Sequence, residues 1–207
     1  MKPADRQAAE KLAKKYNSAF HALFGMWLGL VMVFWLQAWG PLRSYAEDQF
    51  PLPVLPWFLA SVAAGLSVRL FPEAYFAIKS PSRTRRLCEA FGIRWLRTII
   101  TDGDLVTRRV RRSYPGYIVA DAFSSWHKRA NISREIERAH LGFLLFGVGT
   151  SVCALAGGWR TTALLICLGN IAVNLLPILL QRYTRARVEL LLERRLVYSR
   201  NQLEGLG

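Results

Sequence analysis

The chain has 207 residues, of which 52% are hydrophobic, and 28 Lys and Arg against 14 Asp and Glu give a net charge of +14. Apolar and basic residues are segregated along the chain, which argues against an ordinary soluble domain. The sequence shows no nucleic-acid recognition motif, so we expect membrane lipids with anionic headgroups, and not nucleic acid, to be the partner of the basic residues.

Four apolar stretches reach the roughly 17 to 22 residues that cross a membrane as a helix. They cover about residues 20–39, 52–71, 141–158 and 161–180. We therefore predict an all-α integral membrane protein, a single membrane domain over residues 1–207 with four transmembrane helices.

The basic residues predict how these helices are oriented. Lys and Arg collect in the amino-terminal tail, in the long loop 72–139 and after Leu180, whereas the short connections contribute only Arg43 and Arg160. Cytoplasmic flanks of membrane helices are enriched in Lys and Arg. We expect a multi-pass protein of the cell (inner) membrane with both termini and the long loop in the cytosol.

The loop 72–139 contains an amphipathic pattern. Apolar residues recur every four positions within about Thr84 to Thr101, and arginines occupy the other faces, which predicts one helix lying in the headgroup plane. The apolar positions are Leu87, Phe91, Trp95 and Ile99. Further on, Asn131 or Ser133 could cap a helix that leads into the third span.

Polar side chains interrupt the fourth span at helical spacing. Asn170, Asn174, Pro177 and Gln181 fall on one face of an otherwise apolar helix. Polar groups in hydrocarbon usually face the interior of the helix bundle. These residues either hydrogen-bond between helices or line a functional site, and the pattern does not separate the two.

Glu137 and His140 lie three residues apart, so their side chains share a helical face at the start of the third span. A carboxylate beside an imidazole can orient it as a general base; the alternative is an interface histidine bonded to a neighbouring helix. Antiparallel pairing of the last two spans should bring this pair to the level of a guanidinium-rich cluster, which suits a phosphate, a carboxylate or an oxyanion. That cluster comprises Gln181, Arg182, Tyr183, Arg185 and Arg187.

The sequence contains three cysteines. Cys88, Cys153 and Cys167 have neither CxxC nor zinc-like spacing. We predict no metal site and expect these thiols to be small apolar fillers.

Several short motifs occur in a characteristic order between about Leu70 and Leu191. They are FPEAYF (71–76), EAFG (89–92), RW (94–95), DG (102–103), ERAH (137–140), NLLP (174–177) and QRYTRAR (181–187). In this order and spacing they resemble the small membrane acyltransferases of staphyloxanthin biosynthesis, the glycosyl-diaponeurosporenoate acyltransferases. Two departures, Thr184 for the usual Asn and Ala186 for a frequent Pro, bear more on the acceptor than on the reaction class.

The resemblance implies transfer of a fatty acyl group to a hydroxyl of a lipid-like, possibly glycosylated carotenoid-type, acceptor. It implies an acyl donor such as acyl-CoA as co-substrate and no bound cofactor. His140 would be the general base and Glu137 its orienting partner, both at the catalytic centre. The residues implied in substrate binding are Arg182 and Arg185 for the donor, Asn174 and Gln181 for the acceptor, Trp95 and Asp102 in a cytosolic lid, and Tyr183 and Arg187 in the same polar cluster.

Two other classes of function compete with this interpretation. A non-enzymatic four-helix membrane protein, such as a transporter subunit or assembly partner, would use Asn170 and Asn174 only as contacts between helices. A methyltransferase or CDP-alcohol phosphotransferase is disfavoured because no spaced aspartate pair follows Asp102 to hold a metal. The sequence does not predict an oligomeric state.

Overall fold

The structure is a computed structural model that describes residues 3–42, 53–99, 104–117 and 126–204, and within these ranges every regular element is helical. The helices are α1 (Pro3–Ala38), α2 (Val54–Ser67), α3 (Glu73–Phe76), α4 (Pro81–Ala90), α5 (Ile93–Ile99), α6 (Asp104–Ser113), α7 (Trp126–Ala156), α8 (Arg160–Asn170) and α9 (Leu176–Glu204). A 3-10 turn, Val68–Leu70, follows α2, and a π-helical segment, Ile171–Leu175, joins α8 to α9.

Three helical runs are long and apolar enough to cross a membrane: Asp5–Ala38, Ala130–Ala156 and Arg160–Arg194. They confirm the all-helical membrane class. The second predicted span is shorter, because α2 has 14 residues and the 3-10 turn adds three. A fourth span therefore stays a prediction.

The helices extend beyond the apolar stretches from which they were predicted. α1 begins at Pro3 and α7 begins at Trp126, so the last part of the predicted loop 72–139 is helical. Asn131 and Ser133 consequently lie inside α7, and the prediction that one of them caps this helix is wrong. Ala, Glu, Lys and Arg are all good helix formers, which lets a helix continue from the apolar stretch into the polar flank.

The prediction of one continuous amphipathic helix over Thr84 to Thr101 is also wrong. The chain forms two helices, α4 and α5, and Gly92 between them has φ of 72°, a left-handed conformation that glycine adopts without strain. Cys88 and Ile93 are buried against Tyr183 of α9. Phe91 and Trp95 are each 69% exposed, so the predicted apolar face points away from the protein.

The core of the bundle is aromatic and joins α1 to α7 and α8. The Trp27 indole N–H donates to the carbonyl of Ile166 at 3.1 Å, and the Trp35 indole N–H donates to the Thr150 hydroxyl at 3.2 Å. Buried indole N–H groups need such partners. These two bonds fix the position of α1 beside the helices that carry the site.

α2 and α7 cross at a pair of glycines. A Cβ atom on Gly65 would lie 2.9 Å from the carbonyl oxygen of Gly142, so this backbone approach requires glycine. An open, mainly apolar groove of about 470 Å³ is lined by Gly65, Gly142 and Arg138, among other residues. Phe143 forms one wall of the groove.

Candidate functional site

α7 and α9 bring Glu137 together with two arginines of the predicted cluster. The Arg182 Nε–H donates to Glu137 Oε1 at 2.6 Å, and Arg185 Nη2 donates to Glu137 Oε2. Glu137 is fully buried and Arg185 is 2% exposed. A buried charge needs an opposite charge, so this carboxylate is held between two guanidinium groups and has both oxygens engaged.

The two arginines differ in how far they can meet a ligand. The Arg182 side chain is 31% exposed, and its guanidinium lies 5.2 Å from the ring centre of Tyr75. Arg185 is sealed in, and its Nε and Nη1 have no hydrogen-bond partner in the described part of the chain. Arg182 is therefore the member of the pair that an incoming anion can reach.

His140 is not oriented by Glu137, which corrects the predicted pair. Its Nδ1 lies 3.1 Å from Oδ1 of Asn174, and its ring packs edge-on against Phe24 at 6.2 Å between ring centres. Both glutamate oxygens are already taken by Arg182 and Arg185, so the amide of Asn174 orients the imidazole instead.

A directional chain of hydrogen bonds sets the tautomer of His140. The Leu144 carbonyl can only accept, so the Asn170 amide donates to it at 3.0 Å and presents its own oxygen to the Asn174 amide at 2.8 Å. Asn174 then has its oxygen towards His140, and an amide oxygen can only accept. Nδ1 of His140 therefore donates this hydrogen bond, and in the neutral tautomer the lone pair is on Nε2.

Asn174 lies within the π-helical segment. Within Ile171–Leu175 the backbone N–H of Leu176 bonds the carbonyl of Ile171, a widened i to i+5 turn. Pro177 follows and has no N–H to continue the α-helical pattern. Such widened turns occur often at functional sites. Asn170 and Asn174 are both buried, as the helical spacing predicted.

Gln181 and Arg138 are the sequence neighbours of Arg182 and Glu137. The Ser133 hydroxyl donates to Gln181 Oε1 at 2.7 Å. Arg138 bonds Glu73 at 2.6 Å and Glu135 at 2.8 Å, and its hydrogen bond holds the pKa of Glu73 below the ordinary value. We did not predict a role for Arg138, although it lies within the ERAH motif and its partner Glu73 within FPEAYF.

Tyr183 and Arg187 face a second cavity, which lies between α4, α5 and α9 and has a volume of about 470 Å³. We call it the arginine basin; its lining residues are Arg85, Glu89, Arg94, Arg97, Thr98, Tyr183 and Arg187. The Tyr183 hydroxyl donates to Glu89 Oε1 at 3.3 Å, and Arg85 Nε donates to the same oxygen at 2.9 Å. The bond from Arg85 lowers the pKa of Glu89, so the carboxylate in the basin is ionised and engaged.

Of the two predicted lid residues, the structure describes only Trp95. Trp95 lies on the outer face of α5 and does not line the arginine basin. Asp102 lies outside the described residues. Among the residues that are described, Cys88 and Cys153 are buried and Cys167 is exposed, and no three His, Cys, Asp or Glu side chains form a group suited to a metal.

A family model described as glycosyl-4,4'-diaponeurosporenoate acyltransferase matches residues 72–194. This range includes His140, Glu137, the two asparagines and the arginine basin. Comparisons with curated proteins and with solved structures give no match. The family supports acyltransferase activity in carotenoid biosynthesis, and the long apolar helices make the chain a membrane protein. The chain belongs to the glycosyl-4,4'-diaponeurosporenoate acyltransferase family.

Proposed function

We propose that this protein is a membrane O-acyltransferase that moves a fatty acyl group from a thioester donor such as acyl-CoA to a hydroxyl of a lipid-like acceptor. Family membership favours a glycosylated carotenoid as that acceptor. The observation that carries the proposal is the hydrogen-bonded chain that leaves Nε2 of His140 as a basic nitrogen.

His140 acts as the general base in this proposal. Its Nε2 takes the hydroxyl proton while the hydroxyl oxygen attacks the thioester carbonyl carbon. A carbon–oxygen bond forms, the carbon–sulfur bond breaks, and the imidazolium returns the proton to the departing thiolate. The products are an ester and a free thiol, with no change of oxidation state.

Arg182 stabilises the negative charge that develops on the carbonyl oxygen. A guanidinium fixed before the reaction is an effective donor to an oxyanion, because it needs no reorganisation when charge appears. Glu137 holds Arg182 in place through the 2.6 Å bond and is itself held by Arg185. Glu137 and Arg185 are therefore positioning residues, and we no longer assign Glu137 to orienting the base.

The acceptor is positioned by Gln181 and not by Asn174 in this scheme. Both polar ends of the Asn174 amide are engaged, with His140 and with Asn170. Gln181 uses its oxygen to accept from Ser133, and its amide N–H groups make no hydrogen bond to the described side chains. These N–H groups suit a sugar hydroxyl of the acceptor at the cytosolic side of the membrane.

Pigment and lipid mass spectrometry tests the proposal in cells that supply the glycosylated carotenoid. Cells with the wild-type protein should accumulate a species heavier by one acyl chain, and cells with His140→Asn should not. His21→Asn is the matched control, because His21 is exposed and, among the described residues, its ring bonds the carbonyl of Asn17 in its own helix. Equal product in the His140→Asn cells would remove the base assignment. No acylated species with wild-type protein would favour the non-enzymatic alternative, in which the asparagines only join helices.

A further inference from the structure

The arginine basin is a converging set of cations and not a scattered basic surface. Arg85 comes from α4, Arg94 and Arg97 from α5, and Arg187 from α9, and all line one cavity. Arginines that are present only because cytoplasmic flanks are enriched in basic residues do not need to line one cavity. Convergence of three helices on one polar cavity indicates a ligand.

Glu89 is the carboxylate that the described residues contribute to the lining of the basin. Glu89 accepts hydrogen bonds from Arg85 and Tyr183. Arg94 makes no hydrogen bond or ion pair with the described residues, and Arg187 is held 5.8 Å from the ring centre of Tyr183. Glu89 is thus the one carboxylate among the lining residues, and neither Arg94 nor Arg187 bonds it in the described part of the chain.

We propose that the arginine basin binds the phosphate groups of the acyl donor, a nucleotide-type thioester such as acyl-CoA; this inference rests on the proposed function. A planar guanidinium group can donate two parallel hydrogen bonds to two oxygens of one phosphate. Tyr183, which lines the basin, directly follows Arg182 on α9. It also replaces our earlier assignment of Arg185 to the donor, because that side chain is sealed around Glu137.

The charge of the basin selects among phosphate ligands. Among the residues that line it, guanidinium groups outnumber the one carboxylate, that of Glu89. A lipid phosphodiester carries a single negative charge, whereas a nucleotide with a pyrophosphate and a phosphate monoester carries several. The basin therefore matches the donor better than it matches one lipid headgroup.

Binding of coenzyme A to the full-length protein in phosphatidylcholine nanodiscs tests the inference without requiring turnover. We expect inorganic pyrophosphate to compete with coenzyme A. Arg94→Gln and Arg187→Gln should each weaken coenzyme A binding about tenfold or more, the usual effect of losing a charge-assisted bond. Arg86→Gln is the matched control, because Arg86 is exposed on the same α4 helix and does not line the basin.

The outcomes separate this inference from the proposed function. Equal coenzyme A affinity in Arg94→Gln, Arg187→Gln and Arg86→Gln would overturn the basin assignment and leave the role of His140 standing. Loss of coenzyme A binding when the nanodiscs contain phosphatidylglycerol would assign the basin to lipid headgroups and also overturn it. Arginine-dependent coenzyme A binding without any acylated product would support the basin and contradict the proposed reaction.

Discussion

Glu137→Gln separates a positioning role for this residue from a catalytic one. The change keeps the size and planarity of the side chain but removes the charge that faces Arg182 and Arg185. An amide can accept from one of the two guanidinium groups, yet it cannot compensate their charges. Arg185, at 2% exposure, would then be a buried cation without an opposite charge.

The expected loss of stability follows from that burial. Breaking a buried ion pair by removing one partner destabilises a protein by about 3–5 kcal/mol. Arg182 is 31% exposed and partly solvated, so the lower end applies, and about 3 kcal/mol corresponds to roughly 6–12 °C in Tm for a chain of this length. Glu135→Gln should cost less than about 1 kcal/mol, because the Glu135 carboxylate is exposed and pairs with Arg138 near the surface.

Thermal unfolding of the purified protein, followed by loss of monodisperse protein in detergent, measures the difference. The double variant Glu137→Gln with Arg185→Gln removes both the buried carboxylate and the buried cation. The loss of stability in the double variant should therefore be smaller than the sum of the losses in Glu137→Gln and Arg185→Gln. An unchanged Tm in Glu137→Gln, combined with complete loss of acyl transfer, would refute the positioning role and return Glu137 to the chemistry.

Two glycines give further tests, with Gly25→Ala as their control because a Cβ there meets nothing within 4 Å. Gly147→Ala would place a Cβ 2.6 Å from the Asn170 amide nitrogen and displace the hydrogen-bonded asparagines that orient His140. We therefore expect kcat to fall at least about tenfold. An unchanged kcat would contradict the orienting role. Gly65→Ala would place a Cβ 2.9 Å from the Gly142 oxygen and push α2 away from α7. We expect this to lower the stability by about 1–3 kcal/mol. A Tm equal to that of Gly25→Ala would contradict the need for glycine at this crossing.

Helical periodicity predicted which side chains share a face but not which partners they choose. Glu137 and His140 are three residues apart, and this spacing allows a direct bond between them. In the structure Glu137 bonds arginines of α9, while His140 bonds Asn174. Asn174 itself lies in the π-helical segment before Pro177, which no periodic pattern indicates. The antiparallel pairing of the last two spans was therefore predictable, and the hydrogen-bond partners of Glu137 and His140 were not.

The helices α4 and α5 show a second limit of sequence patterns. An apolar stripe at positions such as Phe91 and Trp95 indicates a surface that avoids water, but lipid and protein satisfy it equally well. Here the protein contact is made by Cys88 and Ile93 on another face. Gly92 permits the break between α4 and α5 but does not require it, so the sequence alone does not predict that the helix ends there.

The most direct test of the account is the acyl-transfer rate of His140→Asn in nanodiscs at saturating donor and acceptor. General base catalysis contributes about 10²–10⁴-fold, so kcat should fall by at least about a hundredfold while KM and Tm stay close to those of the wild type. A kcat within a few-fold of the wild-type value would contradict the claim that Nε2 of His140 accepts the proton of the attacking hydroxyl.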